Sequence, residues 1–281
     1  MSKTPLILKA SGEMQPFSPE KLRHSLLRAG ADHSLIETIT NDVSAWITEG
    51  TPTKQIYTRA FRLLRTKRRS MAARYSLKKA IMELGPSGYP FERFVGYLFE
   101  CKGFDVQVGQ VVQGQCVTHE VDVIASDEKN QHLIECKYHN SQGKFSSVQV
   151  PLYIRSRVND IIETRQILAD YKGFIFHGWV VTNTRFSSDA MDYGRCSGLN
   201  LMSWDYPENN SLKALTEKFT AFPVTILTHL TKAQKQHLLN KGIVMCSELK
   251  EQSEKLNALQ LTKQKYRKVM DELEDLGNSF V

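Results

Sequence analysis

Two short runs constrain this chain more than any other feature: Val-Asp-Val-Ile-Ala at 121–125 and Leu-Ile-Glu-Cys-Lys at 133–137. Both are β-type in composition, with branched apolar residues broken by single charges. Residues two apart in a strand share a face, so Glu135 and Lys137 point one way while Ile134 and Cys136 point to the opposite, apolar side. The loop between the runs pairs them as neighbours and brings Asp122 beside Glu135. Two carboxylates at one spot repel each other unless a cation binds, and an all-oxygen donor set favours Mg²⁺ or Mn²⁺. A lysine beside that cation can help activate a water and stabilise developing negative charge.

The surroundings of these runs read as an α/β domain over residues 86–209. Gly85-Pro86-Ser87-Gly88 is a breaker and marks its start. Phe91, Phe94, Val95, Leu98 and Phe99 then fall on one face of a helix. Strands are expected at 104–108, 121–125 and 133–137, then a helix over 147–169, a strand at 178–181, a helix at 187–197 and a strand at 199–204. Three strands, then alternating helices and strands, give a sheet with helices on both faces.

With Asp122, Glu135 and Lys137 in that order, the domain resembles the PD-(D/E)xK nuclease superfamily, in particular its Mrr-like restriction endonuclease branch. Val121 stands where the family name has proline, a position that ligates nothing. Glu92 on the preceding helix, Gln149 at the start of the following one, and the stretch Gly-Trp-Val-Val-Thr-Asn-Thr-Arg-Phe at 178–186 match the family in context. The resemblance implies hydrolysis of a DNA phosphodiester. Asp122 and Glu135 would hold Mg²⁺ (or Mn²⁺), Lys137 would position the attacking water, and Glu92 or Gln149 would orient it or support a second ion. Glu120, one strand step from Asp122 on the same face, joins this site or is only solvated.

Residues 3–84 read as a short strand at 6–9, a turn at Ser11-Gly12-Glu13, and helices opening at Ser18-Pro19-Glu20 and spanning about 34–48, 53–69 and 71–83. The simplest assembly is a small hairpin lidding a four-helix cluster. The order Ile7-Leu8-Lys9-x-x-Gly12, Pro16-Phe17, Lys21-Leu22, Ala29-Gly30 and Ala73-Arg74-Tyr75 is similar to the ATP-cone, a nucleotide-sensing module of ribonucleotide reductases and their repressor. That resemblance implies ATP and/or dATP as an allosteric ligand, with Lys9, Gly12 and Lys21 at the phosphates and Thr53 and Tyr57 towards the base and ribose. Lysines beside a glycine turn and a helix N-terminus do form a phosphate cradle. Neither a P-loop nor a GxGxxG string is present, so ATP hydrolysis is not expected. No cysteine precedes Cys101, so the zinc-ribbon repressor is not expected either.

The formal charge is +7, and residues 51–81 hold ten basic and no acidic side chains, so one window carries the whole excess. That favours a polyanionic partner, either nucleotide phosphates or a nucleic-acid backbone. By contrast, residues 86–209 hold 11 basic and 15 acidic side chains, a poor lure for a phosphate backbone without bound metal. Residues 210–281 read as helical, with a glycine turn at Lys241-Gly242-Ile243. They form either a faint helix-hairpin-helix likeness for gripping DNA or a helical cap or dimerisation piece. Five cysteines without paired spacing imply free, mostly buried thiols, and the absence of a long apolar run implies no membrane span. The expected protein is thus a cytoplasmic, nucleotide-regulated DNA endonuclease that forms a homo-oligomer. The alternative is a catalytically inactive nucleotide-sensing DNA-binding protein.

Overall fold

The structure, a computed structural model, describes residues 4–9, 11–67 and 69–277. Ala10, and Arg68 of the basic window at 51–81, lie outside the described residues. The N-terminal module opens with β1 (Leu6–Leu8) and β2 (Met14–Pro16), followed by α1 (Pro19–Arg28), α2 (His33–Trp46), β3 (Thr51–Pro52) and α3 (Thr53–Lys67). Helix α4 (Arg69–Tyr75) and helix α5 (Leu77–Ile81) complete it. The Ser18 hydroxyl accepts from Lys21 N at 3.3 Å and Pro19 occupies the first turn, the cap expected for α1.

Two features of this module differ from the sequence reading. The helix expected over 71–83 is divided at Ser76, whose hydroxyl donates to the Ala73 carbonyl at 2.7 Å. Strand β3 pairs in parallel with β1, making a three-stranded sheet in the order β2-β1-β3. So short a strand carries no periodic signal to read.

The central sheet is built from β4 (Asp105–Gln113), β5 (Thr118–Ser126), β6 (Asn130–Lys137), β7 (Ile175–Thr182) and β8 (Asn200–Met202), in the order β4-β5-β6-β7-β8. The first three are antiparallel, and β6, β7 and β8 are mutually parallel. Helix α6 (Tyr89–Glu100) precedes β4, α7 (Gln149–Arg165) links β6 to β7, and α8 (Ser188–Ser197) links β7 to β8. Alternation along the strands sorts the two faces. Val123, Ala125, Ile134 and Val181 pack with Phe91, Phe94 and Leu98 of α6. Ile124, Leu133, Val180 and Leu201 pack instead with Ile154, Val158 and Ile161 of α7 and Ala190 of α8. This is the expected α/β arrangement with helices on both faces.

The C-terminal stretch supplies α9 (Leu212–Lys218), α10 (Lys232–Asn240), α11 (Cys246–Glu251) and α12 (Lys263–Gly277). Leu238, Leu239, Leu249, Leu273 and Leu276 share one core with α6 and the sheet. The N-terminal module has its own core, from Ile7 to Ala72, yet Ala73, Leu77, Ala80 and Ile81 pack into the main core. The packing therefore changes partner within α4, ahead of the breaker at 85–88. The α10 to α11 turn uses its own backbone donors: Val244 N and Met245 N donate to Glu248 Oε2 at 2.9 and 3.0 Å, and Cys246 N donates to Phe222 O at 2.8 Å.

All five cysteines are free. Only Cys136 and Cys246 are buried, however, whereas Cys116 and Cys196 are exposed on loop and helix surfaces that the sequence pattern does not reveal. Among the described residues no helix is long and apolar enough to cross a membrane.

Candidate active site

The register of β5 on β6 decides the site. Val123 pairs with Ile134 and Ile124 with Leu133, so one step further Asp122 faces Glu135. The ladder ends at that step and Asp122 turns its Oδ2 to the Cys136 N–H, which donates at 2.7 Å. On the other side of β5, Gly109 of β4 lies between the pairs Val108–Val123 and Gln110–Val121. Its φ of 67° kinks the edge strand opposite Asp122, a conformation that costs glycine little and other residues more.

Helices from both layers close on this spot. Glu92 comes from the first turn of α6 and is half-buried. From α7, the Arg157 guanidinium donates through Nη1 to Glu135 Oε2 at 2.8 Å and through Nη2 to the Glu120 carbonyl. It also lies 5.6 Å from the centroid of the Tyr153 ring. Arg157 is absent from the sequence-based set. Gln149, Tyr153 and Arg157 are spaced four apart and share one face of α7, a stripe that would have pointed to it. Gln149 itself is exposed at the start of α7 and its side chain forms no hydrogen bond among the described residues. Lys137 is exposed at the end of β6, and its charge favours ionisation of both Asp122 and Glu135.

Electrostatics mark these carboxylates as poised for a cation. Burial, then the charges of Asp122, Glu120 and Glu135, push Glu92 up to about 7. Burial, then Asp122, also raises Glu135 to about 7, although Arg157 and Lys137 oppose the shift. Burial raises Asp122 as well, against the Cys136 N–H and Arg157. Burial first, then the charges of Asp122, Glu92 and Glu135, hold the Cys136 thiol well above its ordinary value, so it is no thiolate ligand.

Among the described residues no group of three or more His, Cys, Asp or Glu side chains stands ready as a metal cage. The donor set nonetheless fits a hard divalent ion. Asp122 Oδ1 and Glu135 Oε1 accept no hydrogen bond among the described residues, and such an ion would supply the counter-charge that these buried carboxylates lack.

A pH dependence follows. Glu92 and Glu135 have folded-state values above the ordinary 4.5, so the folded chain holds more protons than the unfolded one between about 4.5 and 7. The metal-free fold should therefore lose stability as pH rises through that window. Mg²⁺ should raise the melting temperature more at pH 8 than at pH 6, because binding must displace the protons. Thermal melts at both pH values, with EDTA or Mg²⁺, test this. An equal effect of Mg²⁺ at both values would remove these carboxylates from the metal site.

The expected nucleotide residues fall into two places. Thr53 Oγ1 donates to the Leu8 carbonyl at 3.0 Å, and the Gly12 N–H donates to Lys9 O at 3.0 Å, so Lys9, Gly12 and Thr53 gather at the hairpin. Lys21 lies at the N-terminus of α1. Tyr57 is one turn into α3, stacked on Phe61 and Tyr75 with ring centroids 6.1 and 5.2 Å away. The basic window is also less bare than it reads. Arg59 is paired with Asp42, Lys79 lies 3.6 Å from Glu83, and Arg74 donates to the Asp275 carbonyl at 3.2 Å.

Fold and site together define a restriction-endonuclease-like domain: a mixed sheet between helical layers, with an aspartate facing a glutamate and a lysine two residues beyond. A family model described as a restriction endonuclease catalytic domain of the Mrr type matches residues 85–206, and an AF1548-like C-terminal model matches 222–276. An uncharacterized protein of Archaeoglobus fulgidus is 33% identical over 176 residues, which are 62% of this chain and 95% of the relative. The chain belongs to the family of that protein. The crystal structure of a protein of unknown function, AF1548, is 32% identical and has a TM-score of 0.55; the match covers 69% of this chain and all of that one. Neither matched model includes residues 1–84.

Proposed function

We propose that this chain is a metal-dependent DNA endonuclease whose N-terminal module responds to ATP or dATP. The observation that carries the reading is Asp122 set against Glu135 where β5 and β6 part, with Lys137 on the same face, inside a domain that matches a restriction endonuclease model. Asp122 and Glu135 would hold Mg²⁺ or Mn²⁺, with the carbonyl region of Cys136 close at hand. When bound, the ion would polarise the phosphate and lower the cost of charge on the leaving oxygen. Lys137 would orient the attacking water towards phosphorus and offset charge on the non-bridging oxygens. Glu92, held partly protonated near neutrality, would take or give a proton at that water, and Gln149 would orient it.

Arg157 has two consequences. As a guanidinium beside the scissile phosphate it would add a second cation to the site. As the partner of Glu135 it also supports a second reading, a nucleotide-sensing DNA-binding protein whose nuclease site is inactive, because it already neutralises one metal-binding carboxylate. The acidic balance of 86–209 leaves long-range attraction of DNA to the cationic N-terminal window, the C-terminal helices and the bound metal. A homo-oligomer would let two such sites act on opposite strands.

Nicking of supercoiled plasmid, with and without Mg²⁺ and with ATP, dATP or neither, separates the readings. Mg²⁺-dependent nicking that changes with nucleotide is the expected result. DNA retardation on a gel without nicking under any nucleotide would establish the binding protein instead.

A further inference from the structure

A separate cavity lies away from the carboxylates, where the N-terminal module meets the C-terminal helices. Its volume is about 500 Å³, within the range of small-molecule sites. One wall is α3, with Tyr57, Arg62 and Arg65, and a second is α5 with its following turn, carrying Lys79 and Glu83. The third is the segment 225–235, with Lys232 and Lys235. Two of these walls lie outside both matched family models, and the third lies inside the C-terminal one.

The lining has the chemistry of an anion site. It holds five cations against one carboxylate, Glu83, which sits 3.6 Å from both Lys79 and Lys235 and serves those two. Arg62, Arg65 and Lys232 have no acidic partner among the described residues, although like charges gathered in a concave site are costly to hold without a counter-ion. Lys235 is fixed in place, donating to the Thr225 carbonyl at 2.6 Å. The cavity also has an aromatic end, where Tyr57 and Phe61 line it as a stacked pair. The Tyr57 hydroxyl itself is enclosed by protein beside Ser76, so it is the ring that a ligand would meet.

We infer that this cavity binds a nucleoside triphosphate, its phosphates on Arg62, Arg65, Lys79 and Lys232 and its base or sugar against Tyr57. The inference deepens the nucleotide-responsive reading but moves the ligand. Of the residues expected to hold nucleotide, Tyr57 lines this cavity, whereas Lys9, Gly12, Lys21 and Thr53 do not. A ligand here would bridge α3 and α5 to the C-terminal helices. The Thr225 hydroxyl already donates to the Ala80 carbonyl at 2.7 Å across this junction. The turn after α5 is in turn tied to Tyr138, the neighbour of Lys137: Gly85 N donates to Tyr138 Oη and Tyr138 Oη donates to Met82 O, both at 2.8 Å.

Calorimetric titration of the full chain in EDTA with ATP, tripolyphosphate and adenosine tests this. ATP should bind more tightly than tripolyphosphate, and adenosine only weakly. Reversing Arg65 and Lys232 together (Arg65→Glu, Lys232→Glu) should weaken ATP at least about a hundredfold, roughly tenfold per cation. Both side chains are exposed, so the fold should survive, which circular dichroism checks. Lys9→Ala with Lys21→Ala should leave ATP affinity within about threefold of wild type. The opposite pattern, loss in the hairpin variant and none in the cavity variant, overturns this inference and leaves the nucleotide-responsive reading standing. No ATP binding to the wild-type chain overturns both.

Discussion

Asp122→Asn should lower Mg²⁺-dependent nicking on the order of a thousandfold while leaving the chain folded. Asparagine keeps the shape, and its Oδ1 can still accept the Cys136 N–H that now reaches Asp122 at 2.7 Å. What is lost is the negative charge and the oxygen that no protein donor occupies. The same change relieves repulsion, since the Asp122 charge helps to raise both Glu92 and Glu135. The metal-free variant should therefore melt no lower than wild type at pH 8, and Glu135 should titrate nearer its ordinary range. Nicking rates, melting temperature and Mg²⁺ affinity measured on one preparation separate a lost ligand from a lost fold. Nicking within about tenfold of wild type by a folded variant would remove Asp122 from the site.

The part of this site legible in the sequence is the part set by strand periodicity. Side chains in a strand alternate, and a short loop fixes the register of its neighbour, so Asp122 opposite Glu135 follows from positions fourteen or fewer residues apart. Arg157 was not legible in that way. It is 22 residues from Glu135, and the turn of α7 over the sheet, set by Ile154, Val158 and Ile161 against Leu133 and Val180, brings the two together. Charge read along the chain misled for the same reason. The window at 51–81 contains no acid, yet Arg59 finds Asp42 from 17 residues away, and Arg74 reaches Asp275 O across 201. Helix α5 shows the limit for domain boundaries. Its breaker is visible at 85–88, but the packing preference of Leu77, Ala80 and Ile81 is decided by which core accepts them.

Lys137→Ala should lower nicking by about a hundred- to a thousandfold, the range for removing one stabilising charge from a transition state, without weakening Mg²⁺ binding. The substitution is structurally mild. The Lys137 side chain is exposed, and what anchors the residue is its backbone: its carbonyl accepts from Thr182 Oγ1 at 2.8 Å and β6 pairs with β7 through Thr182. The next residues are pinned as well, Tyr138 to the turn after α5 and His139 N to Asn183 Oδ1 at 2.8 Å. The strand end thus holds its position whatever side chain it carries. Removing a cation that favours ionisation of Asp122 and Glu135 should leave both carboxylates protonated to a slightly higher pH. The residual rate of the variant should therefore rise with pH later than that of wild type. Lys137→Arg then separates two roles for the amine. Arginine keeps the positive charge but does not give up a proton in this pH range, so recovery of most of the rate would show that Lys137 acts by charge on the phosphate oxygens. A rate as low as that of the alanine variant would show that it acts through a compact amine that places the water or exchanges a proton with it.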